Sequence, residues 1–423
     1  MTTTTTMNMN MTGLRKMLIG LCAAPSLALL PAAASAQTVD INSASTYQVI
    51  RGFGGHNGVG WVADLTSQQV DAAFGTGAGQ IGLSILRMRI DSSKSEWQRQ
   101  VPTAQLAKAK GATLFATPWS PPAYMKTNNN VAGAGHLLPR YYADYATHLL
   151  DFAAMMRANG AALYGVSIQN EPDWEVSYEG CLWRTSELIN FLRAEGGRFS
   201  DIKLMGPESL KFDKAMSDPI LNDASTAQHL DIVAGHLYGV TPSDDALARS
   251  KGKELWMTEH YTDSAADAND WVNAMPVAVE LHKSMNSNYS AYVWWYIRRS
   301  YGLLTEDGKV SKRGHIMAQY AKFVRPGDRR IVATERPYHD VLVTAYKGAN
   351  GKLVVVVVNN GAQRRSLDLK FSADKPSTLS RYLTSATTNQ QYMGENAVAD
   401  GKVSLVVEPL SVSTLVNQRA SAQ

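Results

Sequence analysis

Residues 140–172 read RYYADYATHLLDFAAMMRANGAALYGVSIQNEP, and this stretch decides how the rest of the chain is interpreted. Its first half, Arg140–Arg157, carries apolar residues at helical spacing, which predicts an amphipathic helix. Its second half, Tyr164–Gln169, is a short apolar run that predicts a buried strand. The strand is followed at once by Asn170 and Glu171, so one helix–strand unit ends on two polar side chains.

The same alternation of short apolar runs and amphipathic stretches recurs on both sides of this unit. The eight predicted strands are Gln48–Gly54, Ser84–Ile90, Thr113–Ala116, Tyr164–Gln169, Ile202–Met205, Asp231–Leu237, Glu254–Thr258 and Ala291–Tyr296. A second clear helix is predicted at Ala268–Met285. Strand–helix alternation of this number is the expectation for an α/β chain folded as a (β/α)₈ TIM barrel. A doubly wound open sheet is the alternative, but no glycine-rich phosphate loop follows any predicted strand.

Beyond about Val324 the pattern changes to short strands separated by turn residues. The predicted strands are Val341–Tyr346, Leu353–Asn359, Ser366–Phe371, Thr378–Tyr382 and Val403–Val407. The run Val354–Val358 is continuously apolar, which predicts a strand covered on both faces. We therefore divide the chain into a catalytic barrel at 48–324 and an all-β side domain at 325–423, which the N-terminal strand at 37–47 is expected to join.

The first 36 residues have the features of a secretory signal peptide. Arg15 and Lys16 precede the mostly apolar stretch Met17–Leu30, and Ala34-Ser35-Ala36 fits a small-residue cleavage site. We predict that the mature protein starts at Gln37 and is secreted to the outside of the cell, either directly or through the periplasm. A membrane anchor is the alternative, disfavoured because the apolar run is short and ends at a cleavage site.

Composition excludes several classes of partner. The formal charge of +4 is too mild to argue for a nucleic acid partner. Cleavage after residue 36 would leave Cys181 as the only cysteine, so no internal disulfide is expected. The nine histidines show no short metal-ligand spacing, and we expect no metal and no cofactor. No partner is predicted beyond the substrate, neither a nucleic acid nor a membrane, and we expect a monomer.

Two glutamates stand at the ends of predicted barrel strands, where barrel enzymes place their catalytic groups. Glu171 follows the fourth strand and Glu259 follows the seventh, on opposite sides of the barrel mouth. A pair of carboxylic acids flanking a glycosidic bond is the usual machinery for its hydrolysis, one as acid and one as nucleophile or base. Asn170 is placed to bind a sugar hydroxyl near the reacting carbon. Taken singly, either glutamate is weak evidence, because it could be an ordinary surface acid. Together, and with the barrel and the aromatic residues, the two favour a catalytic pair.

Aromatic residues are concentrated at the other strand ends. Sugar rings stack their C–H faces on aromatic planes, so such a groove suits a polysaccharide. Alternation along the eighth strand places only one of Trp294 and Trp295 toward the site, and we predict Trp295. The candidate groove residues are Trp61, Trp119, Tyr238 and Trp295.

An arginine pair at the barrel rim suggests recognition of an acidic group. A guanidinium binds a carboxylate through paired hydrogen bonds. Arg298 and Arg299 follow the eighth strand and could form an acid-binding pocket with Tyr301, Tyr261 and Ser264. Sequence spacing alone does not distinguish an acid-binding pocket from two arginines that are solvated or ion-paired.

Taken together, these motifs resemble glycoside hydrolase family 30. The resemblance rests on Gly52-Phe53-Gly54-Gly55, Pro118-Trp119-Ser120-Pro121-Pro122, Asn170-Glu171-Pro172 and Trp256-Met257-Thr258-Glu259. Tyr296-Ile297-Arg298-Arg299-Ser300-Tyr301-Gly302 is similar to the bacterial branch of glucuronoxylan-specific endo-xylanases, glucuronoarabinoxylan endo-1,4-β-xylanases. The resemblance implies a barrel with an attached side β-sandwich and a retaining double displacement.

The resemblance also implies a role for each matching residue. Glu171 would be the acid/base and Glu259 the nucleophile. Arg299, Tyr301, Tyr261 and Ser264 would hold the 4-O-methyl-glucuronic acid branch of xylan, and Trp61, Trp119 and Trp295 would line the groove.

Two alternative functions stay open. One is another β-glycanase activity of the family, of β-1,6-glucanase or glucosylceramidase type. The other is a non-catalytic carbohydrate-binding protein, which retention of both glutamates disfavours.

Overall fold

The fold is given by a computed structural model that describes residues 35–417. Eight parallel strands form a closed barrel in which the last strand pairs with the first. Numbered along the chain, the barrel strands are β2 (Gly52–His56), β3 (Ile85–Ile90), β4 (Thr113–Pro118), β5 (Gly165–Ser167), β6 (Lys203–Ser209), β7 (Ile232–His236), β8 (Glu254–His260) and β9 (Tyr289–Tyr296). The predicted TIM barrel is confirmed.

Helices follow most of the barrel strands and cover the outside of the barrel. They are α1 (Ser67–Phe74), α2 (Val101–Ala109), α3 (Tyr142–Ala158), α4 (Thr185–Glu195), α5 (Lys214–Asn222), α6 (Ala224–Ala227), α7 (Ala246–Ser250), α8 (Trp271–Asn286) and α9 (Lys312–Ala321). The helix predicted from Arg140 is a short 3-10 turn, Pro139–Tyr141, followed by α3. None of the helices within 35–417 combines the length and the apolar character that a membrane crossing requires.

The barrel interior is filled rather than open. Side chains from several strands meet inside it, among them Ile85, Phe115 and Trp256, and all of them are fully buried. A larger apolar layer lies between the strands and the helices. The filled interior leaves only the carboxyl ends of the strands for a binding site, as in other barrels of this type.

The remaining strands form a nine-stranded sheet beside the barrel. They are β1 (Gln37–Val49), β10 (Arg329–Ala333), β11 (Val341–Lys347), β12 (Leu353–Asn359), β13 (Arg365–Phe371), β14 (Thr378–Thr384), β15 (Gln391–Ala397), β16 (Lys402–Val407) and β17 (Ser411–Val416). The sheet order is β15-β14-β17-β12-β11-β10-β1-β13-β16, so the N-terminal strand lies between C-terminal ones. Apolar side chains of β13 and β16 share one core with those of β11 and β12, so the sheet folds over itself as a sandwich.

The apolar run in β12 joins the two parts of the molecule. Val355 and Val357 belong to the core of the side sheet, whereas Val354, Val356 and Val358 belong to the apolar layer around the barrel. All five are buried, so the prediction that this strand is covered on both faces is confirmed. Because alternate side chains of one strand serve both cores, the side sheet is fixed firmly to the barrel.

Two features of the strand assignment differ from expectation. The strand predicted at Gln48–Gly54 is split, because Gln48 and Val49 end β1, where Val49 pairs with Arg329, and the barrel strand begins at Gly52. Strands β10, β15 and β17 had no counterpart in the predicted set. Strand β15 lies at the sheet edge and is mostly exposed, so its sequence lacks the apolar alternation that marks a half-buried strand.

Candidate active site

A cavity of about 550 Å³ opens at the carboxyl ends of the barrel strands. Both candidate glutamates and eight aromatic side chains contribute to its wall. The lining residues are Trp61, Trp119, Asn170, Glu171, Trp174, Tyr178, Glu179, Leu210, Tyr238, Glu259, Tyr261, Trp295 and Tyr296. An aromatic wall with a few polar groups is the usual make-up of a site for an organic ligand.

Glu171 and Glu259 face each other across this cavity. Glu259 is the next-to-last residue of β8, and Glu171 lies in the loop after β5. One carboxylate oxygen of each and a ring nitrogen of His236 all lie within 4.8 Å of one another. Glu171 has a left-handed backbone with φ 43°, which is uncommon for a residue with a side chain. Its peptide N–H donates to the backbone oxygen of Glu208 at 3.0 Å, which fixes this conformation.

The carboxylate of Glu259 accepts hydrogen bonds on both of its oxygens. Arg87 donates from Nη1 to Oε2, and the Tyr238 hydroxyl donates to Oε1 at 2.8 Å. Arg87 is fully buried on β3 and also donates to the side chain of Asn170 at 2.6 Å. Two donors, one of them a guanidinium, hold this carboxylate in a fixed orientation.

Glu171 lies in a different environment. Burial raises the pKa of its carboxyl, a hydrogen bond with His236 opposes that rise, and the nearby charge of Glu259 adds to it, so the net shift is upward. The bond joins His236 Nδ1 to Glu171 Oε1 at 2.9 Å. The two carboxyl groups therefore sit in different surroundings, because Glu171 has a raised pKa whereas Glu259 is held by hydrogen bonds from Arg87 and Tyr238.

His236 and Glu208 lie below the two glutamates and are both fully buried. Burial by itself lowers the pKa of His236, but the charge of Glu259 and the side-chain contacts with Glu171 and Glu208 outweigh it and raise the pKa to about 9. Burial likewise raises the pKa of Glu208, but Arg87 and His236 outweigh it and lower the pKa to about 2. His236 is thus an imidazolium and Glu208 a carboxylate near neutral pH.

Three tryptophans form one wall of the cavity. Trp61 meets Trp119 edge to face with 4.7 Å between ring centroids, and Trp295 stacks on His56 at 4.6 Å. The guanidinium of Arg87 lies 4.7 Å from the Trp119 ring, which connects this wall to the charged groups below it. Such packing holds the rings in fixed orientations against which a sugar can stack.

The tryptophan pair on β9 divides as strand geometry requires. Trp295 lines the cavity, whereas Trp294 is fully buried and packs in the apolar layer outside the barrel, near Arg313. Successive side chains of a strand point to opposite faces, so only one of the two can serve the site.

The opposite wall comes from the loop after Glu171. Trp174 and Tyr178 are about half exposed, and Glu179 sits beside them in the lining. Burial, followed by the charges of Glu171 and Glu259, raises the pKa of Tyr178 to about 12, which keeps its hydroxyl protonated. Glu179 pairs with Arg89 of β3, so the loop is attached to the barrel by a salt bridge.

The four residues predicted to bind an acidic group, Arg299, Tyr301, Tyr261 and Ser264, lie mostly at the rim rather than in the wall. Only Tyr261 of the four lines the cavity. Its ring is 5.0 Å from that of Tyr301, and the Arg299 guanidinium lies 5.5 Å from the ring of Tyr296. Arg299 also forms an ion pair with Glu306, Nη1 to Oε1, at 3.5 Å. Ser264 is exposed on the loop after β8.

Glu171, His236 and Glu259 are the group of side chains, among the described residues, that are close enough together to ligate a metal ion. Their ligand atoms already bond to one another or to Arg87 and Tyr238. The guanidinium of Arg87 would repel a cation there. This donor set therefore suits proton transfer better than metal binding.

Arg87, Glu208, Trp174, Tyr178 and Glu179 were not among the predicted site residues. A signal for Arg87 was present, because Arg87 and Arg89 alternate within the apolar strand Ile85–Ile90 and so point to the same face. Glu208 carried no comparable signal. Its importance arises from contacts with Arg87 and His236, which are distant in sequence.

The closed barrel, the facing glutamates and the aromatic groove together define a hydrolase of glycosidic bonds. Residues 87–186 match the family model described as the glycosyl hydrolase family 30 TIM-barrel domain. The chain is 42% identical to Glucuronoxylanase XynC of Bacillus subtilis (strain 168) over 377 residues, which cover 87% of this chain and 88% of that protein. The chain belongs to glycoside hydrolase family 30.

Solved structures agree with this assignment. A family 30 subfamily 8 xylanase from Clostridium acetobutylicum superposes with a TM-score of 0.85 at 38% identity, covering 90% of this chain and 99% of that one. A family 30 endoxylanase from Clostridium papyrosolvens superposes with a TM-score of 0.83 at 35% identity, covering 90% of this chain and all of that one. Both similarities span the barrel and the side sheet.

Proposed function

We propose that the protein is a retaining endo-β-1,4-xylanase that hydrolyses glucuronoxylan and whose cleavage is directed by the 4-O-methyl-glucuronic acid branch. The observation that carries this proposal is the close approach of Glu171 and Glu259, with one oxygen of each within 4.8 Å. Retaining glycosidases separate their two carboxyl groups by about 5–5.5 Å, whereas inverting ones leave about 6.5–9.5 Å for a water molecule. The names of the similar proteins supply the substrate class.

The proposed reaction has two steps. In the first, Glu259 attacks the anomeric carbon of the xylose unit while the bond from that carbon to the glycosidic oxygen breaks. Glu171 gives its proton to the departing oxygen, so the leaving chain departs as a neutral alcohol. In the second step Glu171, now a carboxylate, takes a proton from water, and the resulting hydroxide displaces Glu259 from the sugar.

The surroundings of each glutamate support these roles. Glu259 must be ionised to attack, and Arg87 and Tyr238 both donate to it. Glu171 must carry a proton at working pH, and its pKa is raised by burial and by the charge of Glu259. Asn170, held by Arg87, presents its amide next to the reacting centre, where it can donate to a sugar hydroxyl.

We assign the choice of the xylosidic bond that is cleaved to the residues at the rim of the cavity. The guanidinium of Arg299, with Tyr301, Tyr261 and Ser264, would bind the carboxylate of the glucuronic acid branch. Paired hydrogen bonds from a guanidinium suit a planar carboxylate better than any neutral group. The energy of this contact would fix which xylosidic bond lies between the two glutamates, so it acts on the rate as well as on binding.

Two further properties belong to the proposal. We propose that the protein is secreted after cleavage behind Ala36, and that it acts as a monomer on a polysaccharide, with no nucleic acid or membrane partner. The N-terminal sequencing of exported protein and its sedimentation in solution test these two points.

The decisive experiment compares wild type, Glu259→Gln and Arg299→Ala on glucuronoxylan, unbranched xylan and β-1,6-glucan. We expect reducing sugar from glucuronoxylan with wild type, none with Glu259→Gln, and products that mass spectrometry shows to carry the acidic branch at a constant position. Arg299→Ala should lose about 10- to 100-fold in kcat/KM on glucuronoxylan, as one or two charge-assisted hydrogen bonds imply, and far less on unbranched xylan.

Arg298→Ala is the matched control, because it removes the same charge from the neighbouring residue, whose guanidinium donates to the backbone of Ala63 instead. Equal losses on branched and unbranched xylan would contradict the acid-binding role of Arg299. Proton NMR of the first product formed tests the stereochemistry, and an inverted anomer would exclude the double displacement.

A further inference from the structure

Glu208 is a buried charged residue that takes no part in either step of the proposed reaction. It lies on β6, is fully buried and does not line the cavity. Its Oε1 accepts a hydrogen bond from Arg87 Nη2 at 3.3 Å and lies 3.7 Å from His236 Nε2. Burying a carboxylate away from water is costly unless cations compensate it, so this residue is placed where two cations meet.

Each of the two cations that Glu208 contacts reaches a different catalytic glutamate. Arg87 donates to Glu259 through Nη1, and His236 contacts Glu171 through Nδ1. Glu208 contacts the far side of each cation, Nη2 of Arg87 and Nε2 of His236. One carboxylate therefore connects the acid/base and the nucleophile without contacting the cavity.

We propose that Glu208 is a positioning residue that holds Arg87 against Glu259 and holds His236, protonated on both ring nitrogens, against Glu171. The inference rests on the proposed roles of Glu171 and Glu259. It adds a residue through which the two halves of the site are coupled.

A count of charges explains the need for an acid at this position. In the form ready for reaction Glu171 is neutral, Glu259 is negative, and Arg87 and His236 are positive. Glu208 supplies the second negative charge, so the buried cluster is neutral overall. Without it the cluster would carry an excess positive charge in a region of low dielectric constant, and His236 would lose its proton more readily.

His236 faces charged or titratable groups from every neighbouring segment. They are Glu171 and Asp173 in the loop after β5, Glu208 on β6, Tyr238 after β7 and Glu259 on β8, while Arg87 on β3 shares Oε1 of Glu208 with it. Of these, Glu208 is the anion that approaches Nε2, the nitrogen turned away from Glu171. Its removal should therefore act on the imidazole more directly than on either catalytic acid.

The backbone makes glutamine the informative replacement. Glu208 has φ 58° and its carbonyl accepts the N–H of Glu171, so a change in side-chain size would disturb the catalytic loop as well. Glu208→Gln keeps the size and the shape of the side chain and removes only the charge.

The experiment records ¹⁵N and ¹³C NMR of the histidine rings between pH 5 and 10 in wild type and in Glu208→Gln, with His236→Asn used to assign the signals. Wild type should show His236 protonated on both nitrogens at pH 7, and Glu208→Gln should lower its titration midpoint by about 1–3 units. On glucuronoxylan the variant should lose about 10- to 100-fold in kcat, the usual effect of removing an outer hydrogen-bonding partner, with KM changed less than about twofold because Glu208 lies outside the cavity.

Glu280→Gln is the matched control. Glu280 also pairs with a histidine, joining His260 Nδ1 at 2.7 Å, but it lies on α8, outside the catalytic cluster. The Glu280→Gln variant should leave the NMR titration of the His236 ring unchanged from wild type.

An unchanged His236 titration in Glu208→Gln would overturn the proposal, as would a shifted titration with kcat within about threefold of wild type. If Glu208→Gln fails to fold, wild type alone decides, because a neutral His236 ring at pH 7 contradicts the proposal and a doubly protonated ring supports it. A wild-type protein inactive on xylan would refute the proposed function, whereas the ring signals would still test the contact.

Discussion

Paired charges occur in two parts of the active site, which we call the floor (Arg87, Glu208 and His236) and the rim (Arg299 and Glu306). The two parts differ in their exposure to water. On the floor Arg87, Glu208 and His236 are completely buried. At the rim the side chains of Arg299 and Glu306 are 41% and 55% exposed. Coulomb interactions are strong and unscreened in the first environment, and they are weakened by water and salt in the second.

The difference separates two tasks. Buried charges cannot leave their partners without a large penalty, so the floor holds the two candidate catalytic glutamates in fixed positions. Exposed charges exchange partners at little cost, so the rim can release Glu306 and accept a carboxylate from a substrate. Substitutions on the floor should therefore change kcat, stability and pH dependence on every substrate, whereas substitutions at the rim should change kcat/KM on the branched substrate and hence substrate choice.

The largest effect is expected from Arg87→Met. This change leaves Glu208 and Glu259 without their shared guanidinium, and an uncompensated buried charge costs about 3–5 kcal/mol of folding free energy. Glu259, the proposed nucleophile, also loses a donor, so kcat should fall by about 10²- to 10³-fold. Urea unfolding and steady-state kinetics on glucuronoxylan measure the two quantities.

Arg330→Met is the control for Arg87→Met. Arg330 is also buried, but its guanidinium bonds to the neutral side chains of Gln48, Asn286 and Asn288 near the side sheet. It should lower stability and leave kcat nearly unchanged. A similar loss of kcat in both variants would mean that the floor has no special role.

The pH dependence of stability is the second test of the floor. The pKa of Glu208 is about 2, below its ordinary value of 4.5, so its contribution to stability is present above about pH 4.5 and is lost as the pH falls toward 2. The pKa of His236 is about 9, above its ordinary value of 6.5, so its contribution is complete below about pH 6.5 and is lost as the pH rises through 9.

Together these shifts predict that the floor stabilises the fold most between about pH 4.5 and 6.5. Thermal melting of wild type and His236→Asn should therefore differ most in that range, and the difference in Tm should shrink steadily from pH 6.5 to pH 10. A difference that stays constant with pH would show that His236 is not charged in the folded protein.

The same contrast governs what the sequence could predict. Barrel strands such as Ile85–Ile90 were recognised within a few residues because each is a buried apolar run between polar segments. Strand β15 could not be recognised, because an exposed edge strand has no apolar face. Glu171 and Glu259 were found because a general rule places reacting groups at strand ends, and the structure brings both into one cavity.

The floor of the site was beyond sequence reasoning for a physical reason. A buried glutamate is identified by its partners, and Glu208 meets Arg87 from β3 and His236 from β7 only after the barrel has closed. His236 was not among the predicted site residues. Its charge follows from three carboxylates that lie far apart in the chain.

The smallest effect is expected at the rim, from Glu306→Gln. In the free protein Glu306 pairs with Arg299 at 3.5 Å, and a substrate carboxylate would have to replace it. An exposed ion pair contributes about 0–1 kcal/mol, so its loss should lower KM for glucuronoxylan by about two- to threefold and leave kcat and the activity on unbranched xylan unchanged. Asp307→Asn is the control, because Asp307 pairs with Lys309 at 2.7 Å instead of with Arg299.

The difference in KM between Glu306→Gln and wild type should shrink when the ionic strength is raised to about 0.5 M, where charges at the surface are screened within a few ångströms. If Glu306→Gln raises KM instead, Glu306 orients Arg299 for the substrate rather than competing with it.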